Sequence, residues 1–287
     1  MIKEKRIIIT GCGYNPLKER FTNVIDNSST HNSLFINDVE MKLNIGAATA
    51  SVLANNDLTV HMVSKSEDKL KNIADSISGD VEYSVVDLLD ERQVNSFVQD
   101  LPRNKPLYWV QSVGLGAGSY KLKNDNPYLL LENIETELLE TEVTTLLRSS
   151  HLLIKELLPI FREQNESRIV FISSMSAIRG YSLGGTHCAA KGALDRYANA
   201  AMLALYKYNI FVTTIRPGAV DTGMYDDKLT QKAVIDVALE YGCDWSEKIS
   251  FANPISVGQA VQYVLSTKAH IPSLNLVAQG QFPNEGS

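Results

Sequence analysis

The chain has 287 residues, of which 44% are hydrophobic, and a formal net charge of −6, which suits one α/β domain with an extensive core. The acidic balance argues against a nucleic-acid-binding surface, and no apolar run approaches the roughly 20 residues that cross a membrane. We therefore expect a protein that binds neither nucleic acid nor membrane. Three widely spaced cysteines form neither a disulfide framework nor a metal site, so we expect a cytoplasmic protein.

Short apolar segments alternate with longer segments of helical period along residues 1–287. Strands are predicted at residues 6–10, 58–63, 82–86, 107–113, 168–173, 211–216 and 273–277. Helices are predicted at residues 45–54, 66–78, 91–99, 130–162, 187–208, 230–241 and 256–266. This alternation predicts a single α/β domain with a doubly wound, Rossmann-like parallel sheet, which binds ligands beyond the carboxyl ends of its strands.

A polar segment rich in Asn and Ser, residues 14–43, interrupts this order between the first strand and the first helix. Connections from a strand to a helix usually have about 2–6 residues, and much longer ones are often functional. The segment is therefore either a surface insertion or a flap over a ligand or a partner contact, and the sequence leaves these alternatives open.

The stretch from residue 168 to residue 191 contains the most specific motif. The predicted strand ends in Ser173-Ser174, His187 follows 13 residues after Ser174, and Lys191 follows four residues later. This pattern resembles the active-site region of the short-chain dehydrogenase/reductase family, in which a catalytic Ser is followed by a Tyr-x-x-x-Lys pair. The resemblance extends over nearly the whole chain outside the insertion. His187 stands where the family has its proton-transferring Tyr.

The resemblance implies that Ser174 orients a substrate carbonyl, residue 187 exchanges the proton and Lys191 binds the nicotinamide ribose. Hydride transfer to a carbonyl leaves an alkoxide that needs a proton donor. The family's relay Asn on the preceding helix has no clear counterpart, and Thr144 or Thr145 is the nearest substitute.

Three functions are compatible with His187. It could serve as the acid and base of a carbonyl reductase, because an unperturbed imidazole titrates at about pH 6.5. A neighbouring ammonium and a cationic nicotinamide would, however, disfavour the imidazolium form. The chain could instead bind cofactor without redox turnover, as a sensor or scaffold. It could also be a lyase or isomerase in which neutral His187 removes a proton α to a carbonyl.

The family's glycine-rich cofactor motif is present in two halves, Thr10-Gly11-Cys12-Gly13 before the insertion and Asn44-Ile45-Gly46 after it. Glycines let the backbone approach a pyrophosphate at a helix N-terminus. Asn44 stands where the family has a glycine, and Asn is the best substitute for glycine if that position needs a positive φ. The remaining cofactor contacts implied by the resemblance are Asp87, Gly114, Lys191, Pro217, Gly218, Val220 and Thr222.

The end of the second predicted strand indicates which dinucleotide is preferred. An acidic residue there would hold a ribose 2′-hydroxyl, whereas a basic residue accommodates a 2′-phosphate. The strand ends in Ser64-Lys65 and has no carboxylate before Glu67. We therefore expect NADP(H) to be preferred over NAD(H).

Residues 220–250 are expected, by resemblance, to form a lid over a small-molecule substrate. Ser112, Tyr181 and Tyr225 are predicted to contact that substrate, whose identity the sequence does not reveal. Cys188 follows His187 directly, and because adjacent helical side chains diverge by about 100°, a Cys–His catalytic pair is not expected. The family's habit of association through its two long helices implies a homodimer or homotetramer.

Overall fold

The computed structural model describes residues 5–17, 33–115, 130–224, 228–240, 242, 244, 251–278 and 281. Its strands are β1 (Arg6–Thr10), β2 (Tyr14–Pro16), β3 (Ser33–Ile36), β4 (Val39–Leu43), β5 (Thr59–Ser64), β6 (Val81–Val85), β7 (Leu107–Gln111), β8 (Ser167–Ile172), β9 (Ile210–Pro217) and β10 (Ser273–Leu276). Its helices are α1 (Ile45–Ala54), α2 (Glu67–Ser76), α3 (Glu91–Asp100), α4 (Thr136–Glu163), α5 (Gly185–Leu205), α6 (Lys228–Glu240) and α7 (Pro254–Ser266).

Seven strands form one parallel sheet in the order β10-β9-β8-β7-β1-β5-β6. Strand β1 pairs with β5 on one side and with β7 on the other, so the direction of winding reverses beside β1. Ligands of such sheets bind at this switch point, outside the carboxyl ends of the strands. The predicted doubly wound α/β fold is confirmed.

The sheet is covered on both faces, as its apolar strands require. Ile7 and Ile9 of β1 pack into the core beneath α1 and α7, whereas Ile8 packs into the core beneath α3, α4 and α5. In the second core, the rings of Trp109 and Phe171 meet edge to face with centroids 5.4 Å apart. The alternation of side chains along β1 therefore anchors both layers of helices to the central strand.

Several predicted boundaries differ from those of the structure, and two of the differences have a clear physical reason. Strand β7 ends at Gln111 rather than residue 113, because the chain leaves the sheet beside Gly11 at the switch point. Helix α4 begins at Thr136 rather than residue 130, because Leu131–Asn133 form a separate 3₁₀ turn. The apolar pattern continues through that turn, so periodicity alone did not separate the two.

The described part of the insertion is a small antiparallel sheet in the order β2-β4-β3, which the sequence analysis did not predict. Strands β3 and β4 form a hairpin closed by Asn37 and Asp38, with φ values of 49° and 62°. Two-residue hairpin turns require positive φ at these positions, and Asn and Asp tolerate it. The strands are short and stand within a segment rich in Asn and Ser, so the composition of the segment as a whole resembled that of a loop.

Gly11 allows the close approach of β1 and β7 at the switch point. Its φ is +85°, and an added Cβ would lie 2.5 Å from the carbonyl oxygen of Ser112. Strain at positive φ and a collision with backbone would act together, so we expect Gly11→Ala to lower the free energy of unfolding by about 2–4 kcal/mol. Urea denaturation would measure the loss.

The control for this prediction is Gly180→Ala, because a Cβ at Gly180 would meet nothing within 4 Å. We expect that variant to stay within about 0.5 kcal/mol of the wild type. Equal stability of the Gly11 and Gly180 variants would contradict the role assigned to Gly11.

Candidate functional site

Helix α5 carries three ionisable side chains, His187, Lys191 and Asp195, at intervals of four residues, so they share one face of the helix. The Lys191 ammonium donates a hydrogen bond to the Ile172 carbonyl oxygen at the end of β8, with a distance of 3.0 Å. Asp195 accepts two hydrogen bonds, of 2.8 and 2.9 Å, from the Arg216 guanidinium near the end of β9. These contacts hold α5 against the carboxyl ends of two neighbouring strands.

The Asp195–Arg216 pair is buried on its acidic side. Burial by itself raises the pKa of Asp195, but the hydrogen bonds and charge of Arg216 outweigh that effect and hold the pKa below its ordinary value. A two-pronged guanidinium–carboxylate contact fixes distance and direction at once. The pair therefore sets how α5 lies along the sheet.

Ser174 follows β8 directly and is half-buried. Its Oγ accepts a hydrogen bond of 3.1 Å from the Ser176 backbone nitrogen and caps the 3₁₀ turn Met175–Ala177. The hydroxyl retains its own hydrogen for donation. Because Lys191 binds Ile172, two residues before Ser174, the structure brings Ser174 and Lys191 to the same edge of the sheet.

His187 makes a contact that the sequence analysis missed. Its Nδ1 lies 2.9 Å from Oε1 of Glu142 on α4. The Glu142 side chain is 1% exposed and the His187 side chain 32% exposed, so the carboxylate is buried beneath the ring. The burial of Glu142 could have been predicted from its spacing in the sequence. Glu142 precedes buried Leu146 by four residues and so lies on the buried face of α4. Of the two residues considered for a proton relay there, Thr144 is exposed.

Burial changes the protonation of the groups around His187. It lowers the pKa of the Lys191 ammonium to about 8, although the Glu142 charge acts in the opposite direction. It also raises the pKa of the Cys188 thiol, whose sulfur lies 3.7 Å from the Arg179 carbonyl oxygen. The Cys188 sulfur is therefore directed to a backbone carbonyl, and the imidazole of His187 to Glu142.

Asn44 joins the two halves of the glycine-rich motif. Its side-chain oxygen accepts hydrogen bonds from the backbone nitrogens of Gly13 and Ala47, at 3.1 and 2.9 Å. Its amide nitrogen donates to the Gly11 carbonyl oxygen at 2.8 Å. The position does not need a positive φ, because the φ of Asn44 is −76° and the residue caps the N-terminus of α1.

The residues at this edge fit a dinucleotide. The first N–H groups of α1, at Ile45 and Gly46, have no acceptor within the helix, which makes its N-terminus a site for a phosphate. A Cβ at Gly46 would lie 2.9 Å from the Gly11 carbonyl oxygen, so glycine is needed for that approach, whereas Gly114 faces open space. The amide of Gln111, fully buried at the end of β7, has no hydrogen-bond partner among the described residues. A buried amide in this state calls for a ligand or water.

Lys65, which follows the end of β5 at Ser64, is exposed. Lys69, one turn later on α2, was not anticipated. Its ammonium donates to the Tyr14 carbonyl oxygen at 2.9 Å, its stem passes beside Gly13, and burial lowers the pKa of Lys69. The spacing of Lys65 and Lys69 by four residues could have revealed this second cation.

Asp87 caps a turn. Its carboxylate accepts a hydrogen bond of 2.9 Å from the Leu89 nitrogen, and its own nitrogen donates to the Gln93 side chain. This local role is independent of the adenine contact that the resemblance implies. The side chain is exposed at the end of β6.

The insertion is attached at both sides of the switch point. On one side, Asn72 of α2 donates to the Tyr14 hydroxyl at 3.1 Å. On the other, Asn15 donates to the Thr222 carbonyl oxygen at 2.9 Å, and Lys42 pairs with Asp221 at 2.6 Å. The small sheet thus connects α2 with the loop after β9.

The loop after β9 is held by the C-terminal part of the chain. The Gly218 nitrogen donates to the Leu276 carbonyl oxygen, and the side chain of Gln281 donates to the Ala219 carbonyl oxygen at 2.8 Å. A Cβ at Gly218 would collide with the Gln281 side chain. The Pro217-Gly218 turn therefore leaves space for a C-terminal residue to which the sequence analysis assigned no role.

Of the three predicted substrate-contact residues, the structure describes Ser112 and Tyr181. Ser112 is held by its backbone nitrogen, which donates to Thr10, and half-buried Tyr181 lies in the loop before α5. Tyr225 lies outside the described residues. Helix α6, in the predicted lid, contacts the loop before α5 through a 2.7 Å hydrogen bond from Ser182 to Glu240. Within the described part of the chain, no helix is long and apolar enough to cross a membrane.

The lowered pKa of Lys191 predicts a specific dependence of stability on pH. In the folded chain this pKa is about 8, against an ordinary value of 10.5, so the unfolded chain binds more protons between these limits. The contribution of Lys191 to the free energy of unfolding is therefore complete above pH 10.5 and is lost as the pH falls through 8. We expect the wild type to gain up to about 3 kcal/mol relative to Lys191→Met across this window.

The free energy of unfolding, measured by urea denaturation at several pH values from about 7 to about 10.5, would test this dependence on pH. Lys71→Met, at an exposed site on α2, is the control and should run parallel to the wild type. A constant difference between the wild type and Lys191→Met would contradict the burial of a titrating ammonium.

Comparisons with known proteins agree with this architecture. The short chain dehydrogenase family model matches residues 43–233, about two thirds of the chain. An uncharacterized oxidoreductase of Staphylococcus saprophyticus is 25% identical over 236 residues, which cover 79% of this chain and 88% of that protein. The 3-oxoacyl-(acyl-carrier-protein) reductase FabG of Buchnera aphidicola is 24% identical over 229 residues, which cover 78% of this chain and 86% of that protein.

A solved structure extends the likeness of fold over the full length. It is the NADPH-bound short chain oxidoreductase of Pseudomonas aeruginosa PAO1, which contains an atypical catalytic center. The superposition has a TM-score of 0.73 at 15% identity and covers 100% of this chain and 99% of that one. The family expected from the motifs is confirmed, and the chain belongs to the short chain dehydrogenase family of oxidoreductases.

Proposed function

We propose that the protein is an NADP(H)-dependent oxidoreductase that interconverts a carbonyl and a hydroxyl group, with Ser174, His187 and Lys191 as its catalytic residues. The observation that carries the proposal is the hydrogen bond from Lys191 to the Ile172 carbonyl oxygen. It brings an ammonium and the Ser174 hydroxyl to the edge of the sheet where the N-terminus of α1 begins, as a dinucleotide oxidoreductase requires.

When bound, the nicotinamide supplies a hydride, which carries two electrons to the carbonyl carbon. The Ser174 hydroxyl donates a hydrogen bond to the carbonyl oxygen and so fixes the direction from which the hydride attacks. The imidazolium of His187 gives the proton from Nε2 to that oxygen as the C=O π bond breaks, and an O–H bond forms. His187 ends as neutral imidazole, and oxidation of the alcohol follows the same steps in reverse.

Lys191 has a different role from that of a surface lysine. Its stem is buried and its ammonium is fixed by a backbone carbonyl, so it presents donors in one direction. An ammonium has three donors, of which the Ile172 carbonyl uses one. The others are available for the hydroxyls of the nicotinamide ribose.

The preference for NADP(H) is supported by two cations at the adenosine end. Lys65 follows the end of β5, and Lys69 lies beside Gly13, whereas the strand end has no carboxylate that would repel a 2′-phosphate. The similar structure from Pseudomonas aeruginosa, which binds NADPH, is consistent with this assignment.

The partner we propose is a small-molecule carbonyl or alcohol, and the assembly a homodimer or homotetramer. Apolar residues on α4 and at the end of α5 support association, since Leu139, Leu203 and Tyr206 are exposed there. Leu203 and Tyr206 are only three residues apart, and exposed apolar patches are typical of protein interfaces.

Substitution of His187 tests the proposed chemistry. We expect His187→Ala to retain NADPH binding and to lose about 10²–10⁴-fold in kcat, because a positioned acid typically contributes that much. Fluorescence titration with NADPH and steady-state rates over a panel of ketones and aldehydes would measure both. An Ala variant as active as the wild type would refute the proposed role of His187.

His187→Tyr separates the alternatives. If the wild type binds NADPH without turnover and the Tyr variant reduces carbonyls, the chain is a cofactor-binding protein that has lost reductase chemistry. If the wild type exchanges an α-proton of a ketone with solvent deuterium and transfers no hydride, lyase or isomerase chemistry applies.

Cofactor choice is tested at Lys65. We expect Lys65→Glu to weaken NADPH binding by about 10-fold or more and to leave NADH binding nearly unchanged, because only NADPH carries the 2′-phosphate. The control is Lys71→Glu, which makes the same charge change at an exposed position on α2. Equal effects of the two variants would mean that the net charge of the surface, not Lys65, selects the cofactor.

A further inference from the structure

We infer that Glu142 is a positioning residue for His187, which holds the Nδ1 proton of the imidazole and thereby makes Nε2 the nitrogen that exchanges protons with the substrate. This inference rests on the proposed function. The contact is short, at 2.9 Å between Nδ1 and Oε1, and joins helix α4 to helix α5. The carboxylate is 1% exposed, whereas 32% of the imidazole side chain remains exposed.

The chemistry of the two groups assigns the proton. An ionised carboxylate accepts hydrogen bonds and cannot donate them, so Nδ1 must carry the hydrogen whether the imidazole is neutral or charged. In the neutral ring, Nε2 then has the lone pair, and in the charged ring it has the second hydrogen. Every proton that His187 exchanges with a substrate therefore passes through Nε2, on the edge of the ring opposite Glu142.

Glu142 also places a negative charge beside His187, where a neighbouring ammonium would otherwise disfavour the imidazolium form. Among the described residues, the ionisable groups beside the imidazole include Glu142 of α4 and Lys191 and Cys188 of α5. The carboxylate is the one negative group among these three, and its charge acts on both Lys191 and Cys188. It therefore offsets the ammonium that would otherwise disfavour imidazolium.

Burial of the carboxylate matters for the charge of the pair. The Glu142 side chain is 1% exposed and lies 2.9 Å from Nδ1 of His187. A carboxylate is expensive to bury without a cationic partner, so its presence under this ring fits a pair that is charged during turnover.

A purely structural role would differ in its consequences. If Glu142 only fastened α4 to α5, then Gln, which has nearly the same shape and can accept the same hydrogen bond, would replace it without chemical effect. Glu142→Gln removes the charge but preserves the size of the side chain. The variant therefore separates the electrostatic role from packing.

The first measurement uses the apoprotein and needs no turnover. Two-bond ¹H–¹⁵N NMR correlations distinguish the two neutral tautomers of each of the five histidines, and the signals of His187 are assigned by their loss in His187→Gln. We expect the wild type to have the Nδ1–H tautomer at His187 and the Glu142→Gln variant to give a mixture. A neutral wild-type His187 with the hydrogen on Nε2 would overturn the inference, even if every variant failed to fold.

The second measurement is the dependence of kcat on pH. We expect Glu142→Gln to lower kcat by about 10²-fold with the KM for NADPH unchanged, because loss of the orienting carboxylate affects proton transfer more than cofactor binding. The pH dependence of kcat should also differ from that of the wild type, because the negative charge that faces the imidazole is gone. Glu142→Asp should recover part of the rate.

Glu140→Gln is the matched control, because Glu140 lies on the exposed face of α4 and the substitution removes the same charge. It should leave tautomer, kcat and pH profile unchanged. An unchanged pH profile and rates within about three-fold in Glu142→Gln would overturn the positioning role. If the tautomer depends on Glu142 but no carbonyl is reduced, the positioning role stands and the proposed oxidoreductase function fails, so the two outcomes are distinguishable.

Discussion

The docking of helix α5 on the ends of β8 and β9 is the constraint on which the rest of the site depends. Two charged side chains hold the helix, Lys191 through the Ile172 carbonyl oxygen and Asp195 through Arg216. Because His187 lies on the same helical face, these contacts also determine where the imidazole lies relative to Ser174 and α4. A helix held by apolar packing alone could slide or rotate slightly, and the imidazole of His187 would move with it.

The buried charges of the site are arranged as pairs. Asp195 is matched by Arg216 and Glu142 by His187, while Lys191 is partly neutralised by its environment, with a pKa of about 8. Each charge would be costly to bury alone, and the cost falls when it has a partner of opposite sign. His187 is thus accompanied by a buried carboxylate that lies beneath its ring.

The insertion also interrupts the glycine-rich motif at the edge of the sheet. A long segment between the first two strands of a Rossmann-like sheet would separate the glycine-rich turn from its helix, but Asn44 bonds to Gly11, Gly13 and Ala47 and restores the connection. The described part of the insertion is a small sheet that touches α2 and the loop after β9.

The sequence by itself determined the order of strands and helices, the family, the register of Ser174, His187 and Lys191, and the split glycine motif, because these depend on periodicity and fixed spacing. It did not reveal Glu142 under His187, Lys69 beside Gly13 or the hairpin of the insertion. Partners such as Glu142 and His187 are 45 residues apart, and only the packing of α4 on α5 brings them together. Spacing describes one element at a time, whereas the protonation of a side chain is decided by whichever element the fold lays against it.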